Sequence, residues 1–313
     1  MVKGISLDEW KTKRININMS YNLHEMNRRW AKFNLANPIV DEVFYDTFYD
    51  KDLDLYFVNS LFEYLKIPKV KELTLDNIKL GQESQGKKSP LLDLLCKTED
   101  QQLFNVEIQI VDYPWIEKRM SYYISRLYTH QFVEGFTYKE AKPSYSIWIF
   151  PERKKNGNDP IQHFIHYDPK NNQALYDNIE SLNIIILDIA KIQDIPDHAS
   201  LIQWRDFFMN PELREKNMAL NPRIKKAYDR LEAFSQDPEN FKRFERRGYE
   251  LQDILLMEEE IVKERLRLQI ERQRAENESK RADEEQKRAQ EAEKQVEKFK
   301  KLLEQSGIKI IDT

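Results

Sequence analysis

Residues 90–110 of the chain read PLLDLLCKTEDQQLFNVEIQI. Apolar and polar positions alternate with a period of two on both sides of a polar centre, a pattern that predicts two strands joined by a turn. A turn centred on Asp100 pairs Leu94 with Val106 and continues the match of apolar residues along both arms. The segment therefore predicts a β-hairpin with one buried face.

The same register places Asp93 opposite Glu107 on the other face of the hairpin. Directly paired residues have Cβ atoms roughly 4.5–5.5 Å apart. Two carboxylates at that separation repel each other unless a cation lies between them, and they suit a hard divalent cation such as Mg²⁺ or Mn²⁺. We therefore expect Asp93 and Glu107 to hold one metal ion, with Gln109 one side-chain period further along. An ordinary solvated hairpin face is the alternative, although Asp93 lies inside the apolar run LLDLL.

Composition limits the function classes. The 313 residues suffice for one sizeable core and a smaller appendage. The net charge of −4 excludes a bulk basic field, so any contact with a nucleic acid has to come from a local patch. The single cysteine, Cys96, excludes disulfides and a cysteine-based zinc site. No apolar leader and no run of roughly 20 apolar residues is present, which predicts a protein of a reducing cytoplasm with no membrane partner.

Helices and further strands are expected on both sides of the hairpin. Apolar residues at helical spacing over 41–65 predict one or two core helices. The stretch 144–150 predicts a strand, and the unbroken apolar run 182–189 predicts a strand buried on both faces. This order of elements predicts an α/β fold with a central sheet flanked by helices.

The segment 115–135, which follows the hairpin, predicts an amphipathic helix. Its polar face carries Arg119, Tyr122 and Arg126 at spacings of three and four residues. Two arginines and a tyrosine beside paired carboxylates suit an anionic substrate. A solvated basic helix face explains the same residues equally well, so both interpretations stay open.

The C-terminal third is predicted to be helical. A small bundle is expected from about residue 198, followed by a long helix over 249–306, where neither Pro nor Gly occurs. Apolar residues recur every seventh position, as in a coiled coil: Ile261, Leu268, Ala275, Ala282, Ala289, Val296 and Leu303. The positions three further on are glutamates in the first four heptads, so a single solvated helix is equally compatible. The predicted organisation is an N-terminal extension (1–37), a core (38–197), a helical subdomain (198–250) and a long charged helix with a short tail (251–313).

Three segments carry a resemblance to a known family: DEVFYDTFYD at 41–50, LLDLLCKTEDQQLFNVEIQ at 91–109 and RMSYYISRLY at 119–128. Together they resemble the PD-(D/E)xK nuclease superfamily and, within it, the recombination-promoting nucleases, a family of PD-(D/E)xK nuclease transposases. The resemblance spans roughly residues 38–260. It implies a restriction-endonuclease-like core, in which a mixed central sheet is flanked by helices, and metal-dependent cleavage of DNA.

The resemblance also implies roles for individual residues. Asp93 and Glu107 correspond to the two metal-binding acids, and the carbonyl of Ile108 corresponds to a further ligand. Gln109 occupies the place where the wider superfamily has lysine. Arg119 and Tyr123 match residues that family members carry in the following helix. Asp41 matches an early acidic position, whereas the superfamily's proline before the first acid is replaced here by Leu92.

The residues leave several functions open. The leading prediction is an Mg²⁺- or Mn²⁺-dependent DNA endonuclease that hydrolyses phosphodiester bonds. A second is a nuclease fold that no longer cuts and only binds DNA or a protein, with homo-oligomerisation through the C-terminal helix. The third candidate is a scaffold protein whose functional part is the long C-terminal helix. A glycosidase built on Asp93 and Glu107 is the most distant, because side-by-side carboxylates on paired strands do not flank a sugar cleft. Lysine in place of Gln109 is expected to be a milder change than alanine.

Overall fold

The computed structural model describes residues 23–76, 94–113, 115–153, 158–168, 170, 173–174, 182–193 and 198–305. The chain divides into two compact units, Met1–Leu255 and Leu256–Thr313. The first unit contains a central sheet with helices on both faces. The second unit is helical throughout its described residues, 256–305.

The central sheet is mixed. Its six strands lie in the order β1-β2-β3-β4-β8-β5, in which β3, β4 and β8 run parallel and the other neighbouring pairs are antiparallel. The strands are β1 (Leu73–Asp76), β2 (Leu94–Thr98), β3 (Leu103–Ile108), β4 (Ser144–Phe150), β5 (Ile161–Phe164) and β8 (Leu182–Asp188). Two short strands, β6 (Tyr167–Asp168) and β7 (Gln173–Ala174), form a separate ribbon.

The predicted hairpin is β2 and β3. Leu94 pairs with Val106 and Cys96 with Phe104, which is the register set by a turn at Asp100. All four side chains are buried in the main core, so the predicted register and apolar face are confirmed over the described part of the hairpin. The expectation that only one face is buried is wrong, because Leu95, Leu103 and Glu107 on the opposite face are 4%, 5% and 1% exposed. The strand β1 covers Leu73–Asp76 and pairs with β2 at the edge of the sheet.

Helices cover both faces of the sheet. One face packs against helices joined in a single core cluster with Phe104 and Ile147. These helices are α1 (Leu23–Ala31), α2 (Asp41–Phe48), α3 (Lys51–Leu65), α5 (Ala199–Met209) and α7 (Pro222–Gln236). A short helix, α6 (Arg214–Leu220), lies between α5 and α7. The other face packs against α4 (Ile116–Thr129), whose Ile116, Met120 and Leu127 are buried as the amphipathic pattern predicts.

Local sequence explains where the core helices begin and end. Asp50 caps α3, because its carboxylate accepts hydrogen bonds from the backbone N–H groups of Asp52 and Leu53. Lys66 ends the same helix in the left-handed conformation. Asn221 caps α7, and Pro222 takes its first position, where a missing N–H costs nothing.

A buried polar pair joins α3 to the hairpin. The thiol of Cys96 donates a hydrogen bond of 3.0 Å to Asp54, and both side chains are fully buried. Burial raises the pKa of the Asp54 carboxyl to about 7, and burial also raises the pKa of the Cys96 thiol. The apolar arm of the hairpin therefore carries one ionisable contact inside the core.

Two regions differ from the sequence-based expectation. Within the segment expected as an N-terminal extension, α1 places Trp30 fully buried in the main core. The last helix, α8 (Pro238–Gln305), begins before residue 249, and its Phe244 and Leu251 are buried in that core. In the part of the chain that the structure describes, no helix has the length and apolar character needed to cross a membrane.

Candidate functional site

The predicted site residues gather where the parallel strands end. Glu107 and Ile108 are the last two residues of β3, and Gln109 follows them with its N–H bonded to the carbonyl of Ile149 at 2.8 Å. The helix α4 begins seven residues later and packs on the same face of the sheet as Glu107. In open α/β sheets the carboxyl ends of parallel strands are the usual location of ligand sites.

Glu107 is a buried carboxylate with polar neighbours. Only 1% of the residue is exposed to solvent. Arg119 reaches it from α4, with 3.5 Å between Nη2 and the carboxylate oxygen. The amide nitrogen of Asn105 lies 3.4 Å from the other oxygen. Because a buried carboxylate is costly without compensating charge or hydrogen bonds, this position is specialised rather than a solvated hairpin face.

Arg119 connects the predicted residues to one another. Its Nη1 donates to the amide oxygen of Gln109 at 2.9 Å, and its Nη2 donates to the hydroxyl of Tyr123 at 3.0 Å. The guanidinium carbon lies 4.9 Å from the ring centre of Tyr123 and 5.5 Å from that of Trp148. About a third of the Arg119 side chain remains exposed. A positive charge is thereby fixed at the surface above Glu107.

The structure brings some of the predicted site residues together and does not describe one of them. Glu107, Gln109, Arg119 and Tyr123 are brought together, and Ile108 lies between the first two on β3. Asp93 lies outside the described residues. Tyr122, which was expected on the same helical face as Arg119, is 41% exposed.

The oxygen atoms at Glu107 and Ile108 are of the kind that bind a divalent cation. Among the described residues, no group of three or more His, Cys, Asp or Glu side chains is placed to hold a metal ion. The described part contributes one carboxylate, Glu107, beside the strand end that carries Ile108. Carboxylate and carbonyl oxygens are the ligands that Mg²⁺ and Mn²⁺ take, and one-carboxylate sets are completed in proteins by a second acid, water and substrate phosphate. The residues present therefore fit one side of such a site.

Arg153 has a structural role. Only 6% of its side chain is exposed, although it lies in a basic loop after β4. Its guanidinium pairs with Glu117 at 2.7 Å and lies 3.6 Å from Asp112, while its backbone N–H donates to Asp188 at 3.2 Å. This network ties the first turn of α4 to the ends of β4 and β8, and it thereby helps to position Arg119.

Asp41 also takes part in a structural ion pair. Its carboxylate accepts two hydrogen bonds of 2.9 Å from Nε of Arg247, and it also accepts from the N–H of Glu42. This contact raises the pKa of the Arg247 guanidinium. The residue at the family's early acidic position is therefore engaged with α8.

Two neighbours of the site escaped the sequence analysis. Asn105 is fully buried, and its amide oxygen has no hydrogen-bond partner. It shares a strand face with Glu107 and Gln109, so the alternation in FNVEIQ was a signal that could have found it. Trp148 lies beneath Arg119, and its N–H is satisfied by Ser146 at 2.8 Å. Only the pairing of β4 with β3, in which Trp148 neighbours Glu107, reveals its place.

Comparison with known proteins defines the class. A scan against protein-family models matches residues 41–260 to the PD-(D/E)XK nuclease family transposases. Searches of the curated proteins and of the solved structures found no match. The match covers most of the chain, including the whole central sheet and α4, so the chain belongs to this family. The resemblance read from the sequence and the expected restriction-endonuclease-like fold are thereby confirmed.

Proposed function

We propose that the protein is a metal-dependent DNA endonuclease of the recombination-promoting nuclease type. The observation that carries this proposal is the contact of the exposed guanidinium of Arg119 with the buried Glu107 and with Gln109. An anionic phosphodiester can approach the guanidinium from solvent, while the carboxylate lies beneath it. The family match supports a nuclease or transposase-type function for this segment.

Two acids would hold the cation. In this proposal Glu107 and Asp93 bind Mg²⁺ or Mn²⁺, with the carbonyl of Ile108 as a further ligand. A bound divalent cation supplies Lewis acidity and lowers the pKa of a coordinated water. The role of Asp93 rests on its sequence position, one residue before Leu94, whose pairing with Val106 is described.

The remaining residues bind and orient the substrate. Arg119 pairs with a phosphate oxygen and offsets negative charge as the phosphodiester is attacked. Tyr123 holds the guanidinium in place from beneath. Gln109 stands where the superfamily has lysine, and its amide nitrogen donates to the carbonyl of Val111 at 3.1 Å. The charge that lysine would bring from the strand therefore comes from Arg119 on the helix.

A cleavage assay tests the proposal. Supercoiled plasmid is incubated with the purified protein in Mg²⁺, in Mn²⁺ and in excess chelator, and nicking is expected only with a divalent metal. Glu107→Gln and Asp93→Asn, which keep the shape of the side chains, are each expected to lower the rate by more than about 10²-fold. Glu215→Gln, a change of an exposed glutamate on α6, serves as the matched control.

Metal binding is measured separately, by titration calorimetry with Mn²⁺. Loss of Mn²⁺ binding in Glu107→Gln, with an unchanged circular dichroism spectrum, assigns the residue to the metal. Cleavage in the presence of chelator, or full activity of Glu107→Gln, would contradict the proposal. Metal and DNA binding without any cleavage would instead favour the second candidate, a nuclease fold that only binds.

Two further expectations belong to the proposal. Homo-oligomerisation through the long helix is expected from the heptad pattern of apolar residues. A cytoplasmic location and DNA as the partner follow from the proposed reaction. The boundaries of the four predicted segments, at residues 37, 197 and 250, also remain predictions.

A further inference from the structure

The helix α4 extends from the candidate site to the opposite end of the sheet. At its first turn, Ile116 packs in one cluster with Phe150 and Ile186, near the ends of β4 and β8. At its last turn, Leu127 packs in another cluster with Leu103, the first residue of β3. From Arg119 to the end of the helix is about 15 Å at 1.5 Å per residue.

The exposed face of α4 suits a phosphate backbone. Lys118, Ser121, Ser125 and Thr129 are exposed along it. The three hydroxyl groups donate to backbone carbonyls one turn earlier, at 2.7–2.9 Å, so their hydrogens are engaged and they add no negative charge to this face. A donor that this face offers to a phosphate oxygen is the ammonium group of Lys118, next to the guanidinium of Arg119. The exposed acid at the start of the helix, Glu117, is engaged with Arg153 and does not oppose an anion.

An aromatic cluster stands beyond the end of this helix. Phe132 is its centre, with ring centres at 5.3 Å from Tyr128, 5.3 Å from Phe136 and 5.5 Å from Tyr138. Tyr138 is 89% exposed, and the neighbouring Val133 is 68% exposed. A ring with so much exposed surface contributes little to folding by burial, because hydrophobic stabilisation scales with area removed from water.

The segment that carries the cluster is held in one conformation. Gln131 bonds to both the N–H and the carbonyl of Lys142, at 2.8 and 2.9 Å. Thr137 and Glu140 form a reciprocal capping box around the turn that begins with Tyr138. The exposed ring is therefore presented by an ordered turn, and stacking on it costs less conformational entropy than stacking on a loose loop.

Charge favours an anionic partner for this surface. Residues 115–142 contain five Lys and Arg against three Glu, in a chain whose net charge is −4. Two of the five, Lys139 and Lys142, are exposed beside the aromatic cluster. Nucleic acid is the partner that combines a phosphate backbone with flat aromatic faces.

We propose that Tyr138 and its aromatic neighbours form a stacking site for unpaired bases of a DNA strand whose backbone lies along the exposed face of α4. This inference rests on the proposed function and narrows its substrate to DNA with a single-stranded segment next to the cleavage site. Duplex bases are already stacked on one another and cannot offer a face to Tyr138. About four nucleotides span the 15 Å from Arg119 to the end of α4 at a duplex-like rise of 3.4 Å.

Binding without cleavage tests the inference. Fluorescence anisotropy in excess chelator compares a labelled single-stranded oligonucleotide with a duplex of the same length, at one fixed salt concentration. Tyr138→Ala is expected to weaken single-strand binding about tenfold and to leave duplex binding unchanged, while Tyr138→Trp retains the parent affinity. Tyr249→Ala removes another highly exposed tyrosine, at 71% exposure on α8, and is expected to change neither affinity.

The outcomes separate this inference from the proposed reaction. Unchanged single-strand affinity in Tyr138→Ala overturns the inference, and so does an equal loss for single strand and duplex. If single-strand binding depends on Tyr138 but the protein cleaves no DNA with any metal, the inference stands and the nuclease function fails. If metal-dependent cleavage occurs but Tyr138→Ala binds as the parent does, the nuclease function stands and the stacking site fails.

Discussion

Arg119 donates a hydrogen bond of 2.9 Å to the amide oxygen of Gln109. The opposite end of that amide is also engaged, since its nitrogen donates to the carbonyl of Val111. The orientation of Gln109 is thereby fixed, and the positive charge beside it belongs to the helix rather than to the strand. Any substitution at position 109 therefore has to be judged by its effect on Arg119.

The first prediction concerns lysine at position 109. Sequence reasoning treats Gln109→Lys as a mild change, but the structure reverses that expectation, because the new ammonium would lie against the guanidinium of Arg119. We expect Gln109→Lys to lower kcat/KM for DNA cleavage by about 10²-fold, as much as Gln109→Ala, which removes one orienting group. Steady-state kinetics on plasmid nicking measures the effect.

The double variant provides the control for this prediction. Combining Gln109→Lys with Arg119→Met removes the repulsion while keeping one positive charge at the site. We expect kcat/KM of the double variant to be at least about tenfold higher than that of Gln109→Lys alone. Parent-like activity of Gln109→Lys alone, or no recovery in the double variant, would show that Gln109 and Arg119 act independently.

The hairpin shows which parts of the fold and of the candidate site the sequence pattern could predict. Val106 alternates with the polar Asn105 and Glu107, and a turn at Asp100 sets Leu94 against Val106 and Cys96 against Phe104, so the sequence predicted this register. The same alternation predicted that Glu107 and Gln109 share a face. Their contact with Arg119 depends in addition on how α4 returns across the sheet, and here the helical pattern identified the buried side correctly.

Long-range packing accounts for what the sequence did not reveal. Arg153 follows a strand within a basic run, and nothing local shows that Glu117 and Asp112 enclose it. Trp30 lies in a polar segment, yet the helices around it bury it completely. Both positions are decided by residues far away in sequence, which periodicity and composition do not register.

The second prediction concerns the buried carboxyl of Asp54. Its folded-state pKa of about 7 lies above the ordinary value of 3.8. Below about pH 4 the group is protonated in both states. Between about pH 4 and 7 the unfolded chain ionises first, so the stability of the folded state falls as the pH rises, by up to about 4 kcal/mol. Above pH 7 this contribution no longer changes.

Urea unfolding at pH 4.5, 6.0 and 7.5 measures this effect. Asp54→Asn removes the titrating group, so the stability difference between variant and parent should shift in favour of the variant as the pH rises through this window. Asp253→Asn, at an exposed position of α8, should leave the pH dependence as it is. A parent and an Asp54→Asn variant with parallel pH profiles would contradict the buried assignment.

The third prediction concerns the ion pair between Arg247 and Asp41. Both side chains are less than a third exposed, and the guanidinium makes several hydrogen bonds to one carboxylate. We expect Arg247→Met to lower the free energy of unfolding by about 1.5–3 kcal/mol, the range for hydrogen bonds to charged groups. The neighbouring Arg246 is 68% exposed and pairs with Glu250 on its own helix, so Arg246→Met should cost less than about 0.5 kcal/mol. If both variants lost the same free energy of unfolding, the pair of Arg247 with Asp41 would stabilise the fold no more than an exposed ion pair does.

The last prediction concerns where the chain can be shortened. Phe244 and Leu251 of α8 are buried in the main core, at 6% and 8% exposure, and residues from Leu256 onward belong to the second unit. A chain ending at residue 255 should therefore fold and melt cooperatively near the temperature of the full chain. A chain ending at residue 237 should be several kcal/mol less stable, because burying each such side chain is worth about 1.5–3 kcal/mol.

The same truncation tests the oligomeric role of the long helix. Ile261, Leu268 and Val296 are 40%, 48% and 56% exposed, so a second copy of this helix would have apolar surface to cover. Sedimentation equilibrium of the full chain and of residues 1–255 compares the number of subunits at equal concentration. We expect a dimer or higher oligomer for the full chain and a monomer for the truncated one. The glutamates at 264, 271, 278 and 285 place like charges three residues after the apolar positions and weaken the seam, so the association is expected to be weaker than that of a fully apolar heptad repeat. The same number of subunits in both chains would contradict the coiled-coil interpretation and would indicate a single solvated helix.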